Sequence, residues 1–461
     1  MVGENKNKNQ QSLFSQSLKT MLNPKEPIYI LADTIKWKYF EKEFEKFYIN
    51  FGRPSKPIRL MVSLLILKQL YSLSDERVVE EWVQNPYYQY FSGMAVFQWK
   101  YPCTPSELTH FRNRIGKEGS EMIFKNSIEL HGKSALEKEV LVDSTVQEKN
   151  ITYPTDLKLH VKIIKKCREI SKQENIKLRQ SYRFTIPPLI VAQKFKNHPK
   201  NKKKARKAEK RIKTITGAIL RDLDRKLLKD EKEQYEEFLK KSFKILKQQR
   251  TDKDKFYSLH EEKIYCIAKG KAHKKYEFGT KASIVKTIKS GIIIGAMNIH
   301  NQFDGHSLKP VLNQVEILTG KKPKVAIVDR GYAGKKEING IKIERPCPPK
   351  KNATDYEKRK ARKRFRSRAG IEPIIGHLKH DHRMLRNFLK GELGDDMNIM
   401  LSAAAFNYKK MLNQIKFSFS QFYKVANFQK MLPNFTDLSF EIKNKFESYL
   451  PRLSENLIWT F

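Results

Sequence analysis

Hydrophobic residues in the first third of the chain recur at helical spacing. Aromatic residues follow that spacing over residues 36–52, and the later segment LMVSLLILKQLYSL is apolar almost throughout. Residues 104–107 read Thr-Pro-Ser-Glu, which is the pattern of a capping box with proline in the first helical position. These patterns predict an all-helical region over residues 26–135, with the apolar segment in its core.

The periodicity changes near residue 139, where apolar runs of strand length begin. These runs are EVLVDST, YEFGTKASIVKTI, GIIIGAMNIH and KVAIVD. A helical segment, LKPVLNQVEILTG, lies between the last two runs, and a stretch of helical periodicity at 155–257 separates the first run from the others. This order predicts an α/β domain over 136–415 with a helical insertion at 155–257. Residues 1–25 are predicted to form a polar tail and 416–461 a C-terminal extension.

The charge of the chain narrows the choice of partner. Its 461 residues include 92 Lys and Arg against 50 Asp and Glu, a net charge of +42. Such an excess predicts a polyanionic partner, most often nucleic acid, although charge alone leaves a basic membrane-surface protein open. We expect two to four domains from the length, and no membrane span or signal peptide from the apolar runs. The four cysteines are widely spaced, which indicates reduced thiols and a cytoplasmic location.

Two segments concentrate the basic residues. Residues 194–213 hold eleven Lys and Arg with one Glu, and residues 350–368 hold ten with two acids. Either segment could be a solvated helix face, but two of them in so basic a chain favour contact with phosphates. In the first segment, the residues expected to bind the DNA backbone are Lys202, Lys203, Lys204, Arg206 and Lys207.

Acidic residues at strand ends are informative in a chain this basic. Asp143 ends the run EVLVD, and Asp329 ends the run KVAIVD. A carboxylate there emerges at the carboxyl edge of the sheet, where ligand sites of α/β proteins usually form. The alternative is that each acid caps the following turn or helix. Asp304 is likewise either an accessory acid of the site or a turn residue beside Gly305.

A third acid, Glu372, lies between two regularly spaced cations. Arg368 is four residues before it and Lys379 is seven after it, so a continuous helix would place all three on one face. That face could equally be an ordinary salt-bridge stripe on the surface. Pro373 disfavours helical conformation at Glu372, so we expect a helix to start or kink there.

Carboxylates that converge on one point require cations. They repel one another unless they are neutralised, and their oxygens suit Mg²⁺ or Mn²⁺. Two such ions can activate a water and stabilise the leaving oxygen of a phosphodiester. An acidic metal site within a basic surface therefore fits an enzyme that cuts nucleic acid.

The motifs together resemble those of the DDE transposases of bacterial and archaeal insertion sequences. IVDRGYAG around Asp329 resembles the second-Asp motif of that family, and VDSTVQEKNITYPTD around Asp143 resembles the first. The family signature Tyr-x2-Arg-x3-Glu-x6-Lys occurs here with phenylalanine first, at Phe365, Arg368, Glu372 and Lys379. The resemblance covers roughly residues 35–415, and the motifs occur in the family's order.

This resemblance implies a ribonuclease-H-like mixed sheet preceded by an all-helical DNA-binding domain. It implies cleavage at terminal inverted repeats and strand transfer, with two Mg²⁺ or Mn²⁺ ions held by Asp143, Asp329 and Glu372. Arg368 and Lys379 would then position DNA near the cut. A homodimer or higher assembly on DNA is also implied, since two element ends must be joined. A non-catalytic DNA-binding protein derived from a transposase, and a nuclease without strand transfer, remain alternatives.

Sequence recognition is expected in the helix that follows Thr104. Its short polar and cationic side chains, among them Asn113 and Arg114, could reach base edges or phosphates. Apolar residues recur on the same helix at the spacing of a buried face: Leu108, Phe111 and Ile115. The alternative is that this helix is an exposed connector to the catalytic domain.

Overall fold

The computed structural model divides into two compact units. It describes residues 16–49, 51, 54–194, 196–249, 251–268, 275–300, 303–332, 334, 336–349 and 352–431, with side chains described as far as residue 420. One unit comprises 1–147, 281–389 and 393–461, and the other comprises 148–280 and 390–392. Part of the predicted tail, 1–15, and part of the predicted extension, 432–461, lie outside the described residues. For residues 16–25 the prediction of a polar tail is wrong, because Leu18–Met21 form a helix and Leu18 and Leu22 are buried in an apolar cluster.

Seven helices precede the sheet in the first unit, as far as the described residues extend. They are α1 (Leu18–Met21), α2 (Pro27–Thr34), α3 (Trp37–Phe44), α4 (Ile58–Leu70), α5 (Asp75–Gln84), α6 (Pro86–Phe91) and α7 (Pro105–Glu129). Short 3-10 turns occupy Glu45–Phe47 and Gly132–Ala135. The predicted apolar segment forms α4, which is buried along almost all of its length. A helix that is apolar on every side belongs in a core, so that prediction is confirmed.

Helix α7 begins at the predicted capping box. The Thr104 hydroxyl accepts a hydrogen bond from the Glu107 backbone N–H, and the Glu107 carboxylate accepts one from the Thr104 N–H. The helix is interrupted at Gly116, whose φ of 56° is in the region that favours glycine. The segment from Pro105 to Ile115 is therefore a separate straight helix, as the sequence predicted.

Eight strands form one mixed sheet among the described residues. They are β1 (Glu139–Lys149), β2 (Tyr265–Ile267), β3 (Glu277–Thr287), β4 (Ile293–His300), β5 (Val325–Val328), β6 (Glu337–Ile338), β7 (Ile341–Glu344) and β8 (Arg386–Asn387). The order is β2-β3-β1-β5-β7-β6, with β4 on β3 and β8 on β1. β3 and β4 run antiparallel, whereas β5 is parallel to both β1 and β7. The predicted α/β class is confirmed.

Helices around the sheet complete the first unit. They are α12 (Asp304–Thr319), α13 (Asp355–Ala369), α14 (Glu372–His380) and α15 (Gly391–Met431). The N-terminal helices and the sheet share one apolar core, which extends from Leu64 in α4 through Ile284 in β3 to Tyr408 in α15. The buried Asn407 amide donates to the Ile293 carbonyl and accepts from its N–H, at 2.8 and 3.0 Å.

The second unit is helical and has its own apolar core. Its helices are α8 (Asp156–Gln173), α9 (Ile186–Val191), α10 (Pro199–Lys226) and α11 (Lys229–Lys247). Ile163 of α8, Ile215 of α10 and Leu239 of α11 lie in that core. Within this unit β2 pairs antiparallel with residues 277–279. The predicted insertion at 155–257 lies inside the unit.

Two further features concern the thiols and the length of the helices. All four cysteines are free: Cys103 and Cys167 are buried, Cys266 is partly buried and Cys347 is exposed. Burial raises the pKa of the Cys103 and Cys167 thiols to about 12, so both are protonated at neutral pH. None of the helices in the described ranges is long and apolar enough to cross a bilayer.

Candidate active site

Asp143 and Asp329 lie at the same edge of the sheet. β1 and β5 are parallel, and their last paired residues are Val142 and Val328. The two aspartates are each one residue beyond that pair, so the register brings their positions side by side. Both side chains are partly exposed, whereas the valines before them are buried. The prediction that Asp143 ends its strand is wrong, because β1 continues to Lys149 whereas β5 ends at Val328. The two aspartates thus occupy neighbouring positions where β5 stops, with Asp143 in the middle of β1.

Glu372 is linked to this edge through Arg368. The Arg368 guanidinium lies 3.4 Å from a carboxylate oxygen of Asp329 and 3.4 Å from one of Glu372. Its Nε is buried and has no hydrogen-bond partner among the described residues. The guanidinium is therefore the cation shared by two of the three predicted acids.

The helix break predicted at Pro373 is present. Helix α13 ends at Ala369 and α14 begins at Glu372, with Pro373 in its first turn. Because the break falls between the two, Arg368 and Glu372 pair across separate helices. Lys379 lies in the last turn of α14, about 10 Å along the helix from Glu372.

Asp304 belongs to the same edge of the sheet. It is the first residue of α12, and its carboxylate accepts a 3.0 Å hydrogen bond from the Ser144 hydroxyl. The Lys281 ammonium lies 3.5 Å from the same oxygen. The Ser144 N–H in turn donates to the Asp143 carboxylate at 2.7 Å. Asp304 therefore contacts the strand that carries Asp143, and its role as an accessory acid stays a prediction.

Tyr332 is a buried residue of this region that the sequence analysis did not identify. Only 2% of it is exposed. Burial raises the pKa of its hydroxyl, and the charges of Asp304 and Asp143 raise it further, so the group is neutral at neutral pH. The feature of the sequence that could have identified Tyr332 is its place in the motif IVDRGYAG, where it directly follows Gly331.

The donor types fit a divalent cation. Asp143 and Asp329 offer carboxylate oxygens, and Mg²⁺ is commonly bound by one or two carboxylates together with substrate phosphates. In the described part of the chain, no three acidic, histidine or cysteine side chains are grouped closely enough to hold one metal ion. The two aspartates are thus the candidate ligands in this arrangement, with Glu372 held by Arg368.

Helix α13 carries the second basic segment, and none of its residues is buried. Arg364 forms two hydrogen bonds with the Glu139 carboxylate at 2.7 and 2.8 Å, which fixes the helix to the start of β1. Phe365, in the first position of the signature, is 44% exposed, and the Arg330 guanidinium lies 5.7 Å from the centre of its ring. Several other cations of the helix are exposed: Arg359, Lys360, Arg362, Lys363 and Arg366.

Helix α10 carries the first basic segment in the second unit. Ala205 and Ala208 face the interior of that unit, and the cations around them are exposed. These exposed cations include all the predicted residues: Lys202, Lys203, Lys204, Arg206 and Lys207. Four of the five also line a shallow groove with Lys210.

The predicted recognition helix has the expected two faces. Leu108, Phe111 and Ile115 are buried, whereas Asn113 and Arg114 are exposed. The Arg114 guanidinium lies 4.6 Å from the centre of the Tyr48 ring, which limits its freedom. Between the exposed pair and the core lies the buried Arg112, which forms two 2.7 Å hydrogen bonds with Asp75.

Comparison with known families gives two matches along the chain. Residues 16–114 match the family described as "Transposase domain (DUF772)", and residues 222–408 match the "Transposase DDE domain". Asp329 and Glu372 lie within the second match, whereas Asp143 lies before it. The sheet edge described above is therefore formed in part by the matched domain.

A relative from Rhizobium meliloti, named "Uncharacterized protein ORF8 in nfe locus", is 41% identical over 175 residues. That alignment covers 37% of this chain and 84% of the relative. No solved structure matches the chain. The two transposase domains follow one another in order, and the sheet is the mixed α/β sheet of a ribonuclease-H-like core. The chain belongs to the DDE transposase family.

Proposed function

We propose that this protein cuts DNA at the terminal inverted repeats of its element and joins the freed ends to target DNA. One observation carries the proposal. The parallel register of β1 and β5 brings Asp143 and Asp329 to one sheet edge, and Arg368 links Glu372 to that edge. Two acids from distant parts of the sequence thus take neighbouring positions, and a third is connected to them through one cation, within a strongly basic chain.

Asp143 and Asp329 would hold divalent cations in this proposal, and Glu372 would complete the site. Two Mg²⁺ or Mn²⁺ ions, if bound there, would supply Lewis-acid stabilisation of the attacking and leaving oxygens. Arg368 and Lys379 add positive charge on the side of the helices and orient the phosphate. Asp304 and Ser144 hold the segment of β1 beside Asp143 in position.

The two chemical steps are displacements at phosphorus. In hydrolysis the oxygen of water bonds to phosphorus, and the bond from phosphorus to the 3′ oxygen breaks. That oxygen takes up a proton and becomes a free 3′-hydroxyl, while the other strand end keeps a 5′-phosphate. In strand transfer the 3′-hydroxyl attacks a phosphodiester of the target, loses its proton and displaces a 3′ oxygen there. Neither step requires an oxidant or reductant.

The rest of the chain provides the DNA contacts. Asn113 and Arg114 on the exposed face of α7 contact the terminal repeat, and the exposed cations of α10 and α13 bind the sugar–phosphate backbone. A homodimer or higher assembly on DNA brings two ends together. The duplex is the expected partner because its regular phosphates match long rows of cations.

The test is a cleavage assay on duplex DNA that carries an element end. Asp143→Asn, Asp329→Asn and Glu372→Gln should each abolish Mg²⁺-dependent nicking and leave DNA binding within about twofold of wild type. Asp224→Asn removes an acid of the second unit, which pairs with Lys232, and serves as the matched control. If one of the three variants nicks DNA at the wild-type rate, that residue is not part of the site.

A further inference from the structure

The loop before α7 exposes two large aromatic side chains around a lysine. Trp99 is 83% exposed and Tyr101 is 66% exposed, and Lys100 between them is exposed as well. The other tryptophans that the structure describes, Trp37 and Trp82, are 7% and 1% exposed. Large aromatic groups in water are costly to maintain, so a paired exposure of this kind indicates a binding surface.

The backbone around these residues is fixed. The Gln89 side chain, which is fully buried, donates to the Gln98 carbonyl at 2.9 Å and accepts from the Gln98 N–H at 2.7 Å. On the other side Cys103 is 4% exposed, and Thr104 starts the capping box of α7. The loop that presents the rings is thus already ordered in the free protein. Little further conformational entropy is lost on binding, which favours affinity.

The Trp99 ring also has a fixed neighbour on one side. Its centre lies 4.6 Å from that of Phe97, at an interplanar angle of 69°. Phe97 itself packs against a small apolar cluster that includes Leu18 and Tyr29. The indole is therefore supported at its base while most of its surface faces solvent.

Stacked nucleobases are the partner that this chemistry fits. Every base has a flat π-face that can stack on an aromatic ring, and the lysine between the rings provides charge for the backbone phosphate. The chain's net charge of +42 favours a polyanionic partner over an apolar partner that carries few negative charges. In the interior of a paired duplex neighbouring bases cover these faces, so away from the duplex ends the rings can stack only on bases that have left the helix.

We propose that Trp99 and Tyr101 form a stacking site for unpaired DNA bases, with Lys100 on the adjoining phosphate. This inference rests on the proposed function, because the loop leads directly into α7 and its DNA-facing Asn113. DNA held by α7 would pass the loop at the start of the helix. The loop would then bind the distorted or single-stranded part of that DNA.

Intrinsic fluorescence tests the contact directly. The chain has four tryptophans, and Trp459 lies outside the described residues, so Trp459→Phe is introduced in every protein compared. The full chain is titrated with a duplex that carries a short loop of unpaired thymines, and with the same duplex fully paired. We expect quenching of the exposed tryptophan by the looped DNA alone. Trp99→Phe should remove that signal.

Affinity provides the second measurement. Trp99→Ala with Tyr101→Ala should weaken binding of the looped DNA about tenfold or more, and binding of the paired duplex by less than about twofold. Trp99→Phe, which keeps a ring, should retain most of the affinity. Phe417→Ala removes an exposed aromatic beside a lysine on α15 and serves as the matched control. Circular dichroism and melting temperature show whether each variant folds.

The outcomes separate this inference from the proposed function. Equal losses on looped and paired DNA would make the rings general duplex contacts and would overturn the stacking site. Unchanged affinity and unchanged fluorescence would also overturn it, even if the wild-type chain cuts element ends. Conversely, a loss of affinity for looped DNA alone supports the stacking site. It does so even if Asp143→Asn, Asp329→Asn and Glu372→Gln still nick DNA, because that result would contradict only the proposed function.

Discussion

Arg368 pairs with Glu372 at 3.4 Å although the two residues belong to different helices. The break between those helices turns Glu372 to the start of α14, and it leaves Arg368 in the last turn of α13. From there the same guanidinium also reaches Asp329. One cation therefore neutralises two carboxylates that would otherwise repel each other.

Replacement of Arg368 tests the importance of this shared cation. Arg368→Gln should lower the rate of DNA nicking about 10²-fold, since a preorganised charge near the reacting phosphate is lost. Arg368→Lys should recover part of the rate, because it keeps the charge but loses the planar fork that spans two carboxylates. Arg77→Gln removes a cation of α5 that pairs with Glu81; this variant is the control and should cut normally. Wild-type rates in Arg368→Gln would show that the pairing is dispensable.

Asp304 should affect cleavage through Ser144. Asp304→Asn removes the charge that accepts from the Ser144 hydroxyl, so we expect nicking to fall about tenfold while DNA affinity stays unchanged. Ser144→Ala should give a similar loss. If both act through one hydrogen bond, the double variant should be no worse than either single variant. Glu316→Gln, on the exposed side of α12, is the control; fully additive losses would mean that the two residues act separately.

The sequence predicted the elements that local chemistry determines. The capping box at Thr104, the buried α4, and the helix break at Pro373 all depend on neighbours within a few residues, and all three are present. Asp329 was also predictable as a strand-end residue, because the apolar run before it forms all of β5. The same reasoning failed for Asp143, because β1 continues through the mixed residues after it as far as Lys149. Their common edge followed only once β1 and β5 were known to be parallel neighbours.

Contacts between distant segments were beyond the sequence. Ser144 and Asp304 are 160 residues apart, and no local sequence pattern indicates that the Ser144 hydroxyl donates to the Asp304 carboxylate. Likewise, the apolar α4 was expected in a core, but its composition does not reveal that it shares that core with the sheet. Tyr332 was missed because a buried tyrosine after a turn has many ordinary roles.

The exposed cations of α10 should provide affinity without sequence preference. Lys202→Gln, Lys203→Gln and Lys207→Gln together should weaken binding to every duplex alike. Each lost phosphate contact should reduce the slope of log affinity against log salt by about 0.9. The measurement is binding across a salt series, on element-end and scrambled duplexes.

A control for α10 is available on the next helix. Lys229, Lys240 and Lys247 of α11 are also exposed, and their replacement by glutamine removes the same charge from the same unit. We expect a smaller change in slope there, since α11 also carries many acidic residues. An identical slope in wild type and the α10 variant would show that those lysines form an ordinary solvated helix face and do not contact phosphates.

His131 should make the stability of the fold depend on pH. Burial and, to a smaller extent, the charge of Lys410 lower its pKa from 6.5 to about 4, while its ring N–H donates to the Asn407 carbonyl. Below pH 6.5 the His131 imidazole is protonated in the unfolded chain but stays neutral in the folded chain. Stability is therefore lost as pH falls from 6.5 towards 4. The expected loss from this residue between pH 7.5 and 5 is about 2 kcal/mol.

Chemical denaturation at both pH values measures that loss. His131→Gln cannot take up a proton but can still donate to Asn407, so its stability should fall less between the two pH values. His160 in the second unit, whose pKa burial also lowers to about 4, is unchanged in the variant and cancels in the comparison. A variant with the same pH dependence as wild type would exclude His131 as the source.

Replacements of adjacent residues on α7 should affect different properties, DNA preference or stability, because the residues lie on different faces of one helix. Asn113→Ala and Arg114→Ala should reduce the preference for element-end over scrambled duplex more than they reduce total binding, since a good base contact contributes about 1–3 kcal/mol of discrimination. Arg112→Ala should instead destabilise the fold by about 3 kcal/mol, because it leaves Asp75 without two buried hydrogen bonds. Competition binding and chemical denaturation, measured on the full chain, separate the two effects. Unchanged preference in both Asn113→Ala and Arg114→Ala, with normal stability, would make α7 a connector and move recognition to the basic helices.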